Sequence, residues 1–183
     1  MGIVMSDENK LANGYGTGEG KDYKPFVLTK DVKKQGTRSN LKDWKHGRML
    51  HLLSQGEVWL YMLLRWRDDV ADIREQYPLK KEKVARIAEG LGITPPRNVL
   101  TTDMLVTKTD GTLVAYSVKQ DRSVLDDEKT VRRQMLEKVY WEEGREEERA
   151  EFHLVFKEDL PEMACRNLMT CFRFYDIDKV CDM

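Results

Sequence analysis

The stretch that most constrains this chain runs from residue 99 to residue 119. Residues 99–107 (VLTTDMLVT) are β-branched or apolar with polar interruptions, Asp110-Gly111 is a strong turn signal, and residues 113–119 (LVAYSVK) read as a returning antiparallel strand. Asp103 lies midway along the first strand and Lys119 ends the second, so folding the turn brings carboxylate and amine to the same end of the sheet. Loop length decides whether they meet. A strict two-residue loop sets Asp103 opposite Val118 and turns Lys119 to the other face. A three-residue loop (Asp110, Gly111, Thr112) or one bulge sets Asp103 opposite Lys119, with Ser117 on that same face.

A second acid belongs to the helix expected over residues 54–66 (SQGEVWLYMLLRW), dense in large apolar side chains and therefore largely buried. Ser54 stands as its N-cap and Glu57 at its third position. Ser-x-x-Glu is a capping box, a role that needs no chemistry. The two roles are compatible, because one carboxylate oxygen can cap while the other faces a cation held by Asp103.

The 183 residues suffice for one core of average domain size. The formal net charge of −1 makes the molecule neither polycation nor polyanion. Charge is uneven, however. Residues 21–48 hold nine Lys or Arg against three Asp, and residues 142–151 hold six Glu against two Arg. The basic stretch suits a phosphate backbone, with Lys21, Lys24, Lys42, Lys45, His46, Arg48 and His51 as candidate DNA contacts, and equally suits a solvated arm. Tyr23, Phe26 and Trp44 interleave with these cations, placed to stack on bases or to anchor the segment to the domain.

Several classes are excluded. Gly20-Lys21 does not make a phosphate-binding loop, since that motif wants glycine where Tyr15 stands and Ser or Thr where Asp22 stands. His46 and His51 lack acidic or cysteine partners at zinc-ligand spacing. Cys165, Cys171 and Cys181 are odd in number, lack CxxC spacing and read as reduced intracellular thiols. No apolar run approaches the roughly 20 residues of a membrane span and residues 1–11 lack a signal-peptide core, so a cytoplasmic protein is expected.

Taken in order, residues 1–22 form a glycine-rich arm expected to be flexible, and residues 41–53 an extended or turn-rich lead-in. Residues 70–79 (VADIREQYPL) alternate and stop at Pro78, as an edge strand does. Residues 83–91 form a short amphipathic helix ended by Gly90 or Gly92. Past the hairpin come a helix over 126–143 ended by Gly144, a strand over 152–156, and a last helix over 160–175 entered through Pro161. The order is helix, strand, short helix, hairpin, helix, strand, helix. It predicts a mixed sheet flanked by helices, of the α/β or α+β class.

Hard oxygen donors such as Glu57 and Asp103 suit magnesium or manganese, and a lysine beside them suits stabilisation of a pentacovalent phosphate. Carboxylate, carboxylate and lysine form a minimal set for phosphodiester hydrolysis.

The residues go beyond spacing. The run at residues 69–79 (DVADIREQYPL) resembles the DIREQ(F/Y)PL signature of the TnsA family, the endonuclease subunit of heteromeric bacterial transposases. GEGKDYKPF at 18–26, HLLS at 51–54, IAE at 87–89, TTDML at 101–105, Val118-Lys119 and Tyr140-Trp141 agree in order, so the resemblance covers roughly residues 14–160. It implies a restriction-endonuclease-like fold of the PD-(D/E)XK type over residues 23–158, with Glu57 as the helix carboxylate, Asp103 as the central ligand of Mg2+ or Mn2+, and Lys119 as the active-site lysine. Where the family carries Gln or Glu two residues before that lysine, this chain has Ser117, a shorter and weaker ligand, which leaves one metal site more dependent on water and on the Val118 carbonyl. Glu137 matches a family acidic position, although a solvent-facing helical glutamate explains it as well. The resemblance further implies cutting of the 5′ strand at transposon ends beside a TnsB-like DDE transposase, under a TnsC-like AAA+ ATPase. Residues 159–183 make only a short helical segment where family members continue into a winged-helix region, which puts ATPase contact in doubt. A non-catalytic DNA-binding assembly subunit and a stand-alone restriction or repair nuclease of the same fold are the alternatives.

Overall fold

Residues 104–106 of the hairpin are buried whichever way they point: Met104 and Val106 join one apolar cluster and Leu105 another. A strand covered on both faces needs helices on both faces. A computed structural model, which describes residues 5–32, 37–143 and 149–175, has that layering. Strands β3 (Val70–Pro78), β4 (Thr101–Lys108), β5 (Leu113–Lys119) and β6 (Ala150–Phe156) form one sheet in that order, antiparallel except for the parallel β5–β6 pair. Helix α2 (Gln55–Arg65) covers one face and packs in turn on α5 (Glu162–Cys171). Helices α3 (Lys81–Gly90) and α4 (Glu128–Glu142) cover the other, and α4 supplies the crossover that a parallel pair requires. The expected element order and mixed sheet are therefore observed. Asp127 caps α4, and the Gly144 stop falls outside the described residues.

The hairpin loop has three residues, but they are Thr109, Asp110 and Gly111 rather than Asp110 to Thr112. The Lys108 N–H donates to Thr112 O, the Gly111 N–H donates to Lys108 O, and Gly111 takes φ +87°, which glycine adopts without a Cβ clash. The pairing runs Thr107↔Leu113 to Met104↔Tyr116, so one further step sets Asp103 across from Ser117, not Lys119.

In the amino-terminal third the expected flexible arm is corrected, and the extended, turn-rich lead-in is found as a small sheet. Residues 7–12 are helical (α1, Asp7–Ala12), and residues 41–53 hold most of a second, two-stranded sheet, β1 (Ser39–Lys42) with β2 (Met49–Leu52). Nor is the stretch before residue 22 a loose arm: Lys10 is buried, bonded through Nζ to Phe26 O and Asp31, and Val99 N–H donates to Asp7. The basic segment has a structural task. β3 is a sheet edge, and its outward carbonyls need donors. Lys45 Nζ donates to Val70 O, His46 Nε2 lies 3.2 Å from Ala71 O, Arg48 Nη2 donates to Ile73 O, the Tyr23 hydroxyl donates to Glu75 O and the Phe26 N–H donates to Gln76 O. Tyr23, Phe26, Lys45, His46 and Arg48 thus close the edge that the alternating pattern exposes. No helix among the described residues is long and apolar enough to cross a membrane, and Cys165 and Cys171 are free.

Candidate active site

The site forms where α2 begins, where β4 and β5 diverge, and where one turn of α4 faces them. Ser54 Oγ accepts the Glu57 N–H at 3.2 Å, which starts α2. The Glu57 carboxylate does not complete a capping box at Ser54 N. It accepts instead from Leu53 N–H (2.9 Å), Ser54 Oγ (2.8 Å) and Gln76 Nε2 (3.2 Å). Only 4 % of Glu57 is exposed, and burial followed by the charge of Asp103 pushes its carboxyl up to about 8. A buried acid whose charged form is disfavoured further by a second acid marks two carboxylates in electrostatic contact.

Gly56 makes that approach possible. A Cβ at this position would stand 2.8 Å from Val118 Cγ1 and 3.2 Å from Lys157 Cβ, so the first turn of α2 lies directly on the end of β5. Gly56→Ala gains about 1 kcal/mol of helix propensity and loses about 1–3 kcal/mol to overpacking, so a small net destabilisation is expected. The larger effect falls on geometry, since α2 must lift and carry Glu57 from Asp103. Any catalysis that depends on the Glu57–Asp103 geometry is expected to drop about tenfold or more at temperatures well below the melting transition, a misplacement effect. Equal rates for the variant and its parent would show that this contact does not set the site.

Asp103 sits beyond the last ladder pair, where the strands part. Its Oδ2 takes the Val118 N–H at 2.6 Å, a bond that β4 backbone would otherwise supply, and lies 3.5 Å from both Ser117 Oγ and Lys119 Nζ. The lysine amine also donates to Ser117 Oγ at 2.9 Å and to Val118 O at 3.0 Å. Amine and carboxylate share one side of the sheet although they are not directly opposed, because the flexible lysine stem spans the offset. Ser117 here seats the lysine. The Val118 carbonyl already receives the amine and keeps a second lone pair.

Glu137 is not solvent-facing. It is 1 % exposed, and burial, then Asp103, push its carboxyl up to about 7, with Lys119 and a bond to Thr102 opposing. Thr102 Oγ1 also accepts the Trp141 Nε1–H at 2.7 Å, so positions 137 and 141, one turn apart on α4, are both tied to β4. Glu137 Oε1 is buried without a partner.

Gln76, inside the quoted signature, is a site residue that its sequence context does not mark. It has φ +49°, the left-handed region, two residues before the end of β3, and among the described residues no other non-glycine does. That conformation costs about 1–2 kcal/mol for an L-residue. Its signal was legible only as an alternating strand position, and alternation turns it from α2.

The seven candidate DNA contacts divide. Lys21 and Lys42 are exposed. Lys24 Nζ bonds Asn13 O and lies over the Tyr15 ring, and Lys45 and His46 cover β3 as above. His51 Nδ1 accepts the Thr29 N–H at 3.3 Å. Arg48 is buried and forked onto Glu75, Nη1–Oε1 2.8 Å and Nη2–Oε2 2.6 Å, which leaves its guanidinium no face for a phosphate.

Whether the site suits a hard divalent cation can be judged from its donors. Among the described residues no three His, Cys, Asp or Glu side chains converge as a finished cage. Magnesium needs no such cage, because it keeps several waters and takes one or two carboxylates. The orphaned Glu137 oxygen and the raised Glu57 carboxyl are what such a cation would relieve, so the residues fit it.

Comparison with known proteins follows the same lines. Residues 67–154 match the family model described as TnsA-like endonuclease N terminal. The chain is 34 % identical over 140 residues to the Transposon Tn7 transposition protein TnsA of Escherichia coli, an alignment covering 73 % of this chain and 51 % of that protein. The chain thus spans about half the length of this relative.

Proposed function

Because the chain belongs to the TnsA-like endonuclease family, we propose that it hydrolyses phosphodiester bonds of DNA with Mg2+ or Mn2+, cutting the 5′ strand at transposon ends beside a DDE transposase. The observation that carries this reading is the Asp103 carboxylate, coupled electrostatically to Glu57 on one side and 3.5 Å from the Lys119 amine on the other.

Asp103 and Glu57 would hold the cation, with the Val118 carbonyl and water completing its shell and Glu137 behind that water. A bound divalent ion supplies charge neutralisation at the phosphate and a bound water acidified toward neutral pH. The protein supplies the rest. The Val118 N–H fixes one Asp103 oxygen, so the carboxylate cannot rotate as charge moves. Lys119 places a positive charge beside the carboxylate pair, where the attacked phosphate gains negative charge, and Ser117 Oγ keeps that amine in place. Leu53, Ser54 and Gln76 hold Glu57 by three bonds, so its orientation is preset.

A specific observation favours a second reading. Ser117 is spent on the lysine, so the family's usual carboxamide or carboxylate ligand is missing, as in a subunit that binds ends without cutting. Branched transposon-end DNA and supercoiled plasmid, incubated with the protein, a TnsB-like transposase and Mg2+ or Mn2+, separate the two. Cleavage lost on chelation and in Glu57→Gln is the expected result. DNA retention without cleavage under either metal assigns the assembly role instead. Cleavage without any transposase would assign a stand-alone nuclease. Addition of a TnsC-like AAA+ ATPase tests whether that regulator acts on a chain of this length.

A further inference from the structure

We infer that Gln76 is a positioning residue for the cation site, its left-handed backbone serving to turn a carboxamide onto Glu57; the inference rests on the metal-dependent reading above. In β3, Ile73 and Glu75 face the α2 side, Ile73 in the α2 cluster and Glu75 accepting from His51 N–H of β2. Arg74 faces the other side, beside Tyr77. Strict alternation would put Gln76 with Arg74 and Tyr77 with Glu75. The reverse is found: Tyr77 packs with Trp141 against α4, and Gln76 reaches Glu57. The flanking pairs Glu75↔Met104 and Tyr77↔Thr102 keep one register, so no inserted residue accounts for the reversal. The φ of +49° at Gln76 does.

The carboxamide is also oriented. Thr101 Oγ1 donates to Gln76 Oε1 at 3.2 Å, which commits the NH2 group to Glu57 Oε2, an oxygen that already accepts from Leu53 N–H. The flipped amide would set its oxygen against the ionised Glu57 carboxylate that a cation needs. The result is a Glu57 carboxylate whose second oxygen is pinned from behind by Gln76, whose backbone is strained in reaching it.

The test is calorimetric titration of the full chain with Mn2+, alongside melting of the metal-free protein, for the parent, Gln76→Leu, Gln76→Gly and Thr101→Val. Leucine keeps the bulk and loses the donor; glycine loses the side chain and also relieves the left-handed strain, so it supplies a folded variant without the carboxamide. Expected are a Mn2+ dissociation constant raised about 10–100-fold in both Gln76 variants, a smaller rise in Thr101→Val, and a melting temperature of Gln76→Gly equal to or above the parent's. Affinity unchanged in Gln76→Gly overturns the inference, and so does affinity that falls only in step with melting, which marks a structural residue. A parent that binds no Mn2+ defeats the metal reading itself and the inference with it, whereas parental binding with unaltered variants defeats the inference alone.

Discussion

Asp103→Asn is expected to lower metal-dependent cleavage by at least about a thousandfold while raising the stability of the metal-free protein. The substitution keeps the shape and keeps an oxygen for the Val118 N–H, so the divergence of β4 and β5 survives. What disappears is the charge, and the site is built on charge. Asp103 is the second cause, after burial, that pushes Glu57 to about 8 and Glu137 to about 7. Removing it relieves two buried acids and leaves nothing central to hold a cation. Loss of activity with gained stability is the signature of a site whose strain is functional. A variant that loses both would instead mark Asp103 as a fold residue.

The same pair of acids fixes the pH dependence. Both folded-state values lie above the ordinary 4.5, so between about pH 4.5 and 8 the folded protein holds protons that the unfolded chain has released. Stability must then fall as pH rises through that window, opposite to a salt-bridged carboxylate. Each unit of separation is worth about 1.4 kcal/mol, and each kcal/mol moves the melting temperature of a chain this size by about 2–4 °C. Metal-free protein is expected to melt several degrees lower at pH 8 than at pH 5, with a shallower slope in Asp103→Asn. Identical slopes would refute the coupling.

Much of this was legible because the signals are local. Asp110-Gly111 announces the hairpin, Ser54 and Glu57 announce the start of α2, and the apolar runs on either side demand layers. The three site side chains come from these well-signalled places. Legibility failed where the deciding bond is long-range or the conformation runs against type. Nothing in the basic run at 21–48 says that its cations meet carbonyls some 25 residues away on β3, because charge alone serves a phosphate and a carbonyl equally. Nothing in a glutamine announces φ +49°, since left-handed conformations favour glycine, asparagine and aspartate. The β1–β2 turn, by contrast, is signalled locally. Asp43 accepts the Lys45 and His46 N–H groups and Gly47 takes φ +71°, a turn pattern present in the letters.

Arg48→Ala separates the two readings of that basic segment by a large margin. In the folded chain the guanidinium makes a two-pronged bond to Glu75, donates to Ile73 O and lies 5.1 Å from the Tyr23 ring centre. Glu75 is 0 % exposed, so its truncated partner leaves a carboxylate with only the His51 N–H, away from water. Removing one member of a buried pair costs about 3–5 kcal/mol, which for this chain lowers the melting temperature by about 10 °C. Lys42→Ala, at an exposed position in the same segment, is expected to stay within about 0.5 kcal/mol of the parent. Replacing both partners with apolar residues, Arg48→Met with Glu75→Leu, should recover much of the loss, since the unpaired charge rather than the missing bond is what destabilises. A phosphate-binding arginine behaves in the opposite way: its removal leaves melting unchanged, weakens DNA binding and reduces the salt dependence of binding by about one ion. Melting of Arg48→Ala at the parental temperature would return Arg48 to the DNA surface and leave the β3 edge without its cover.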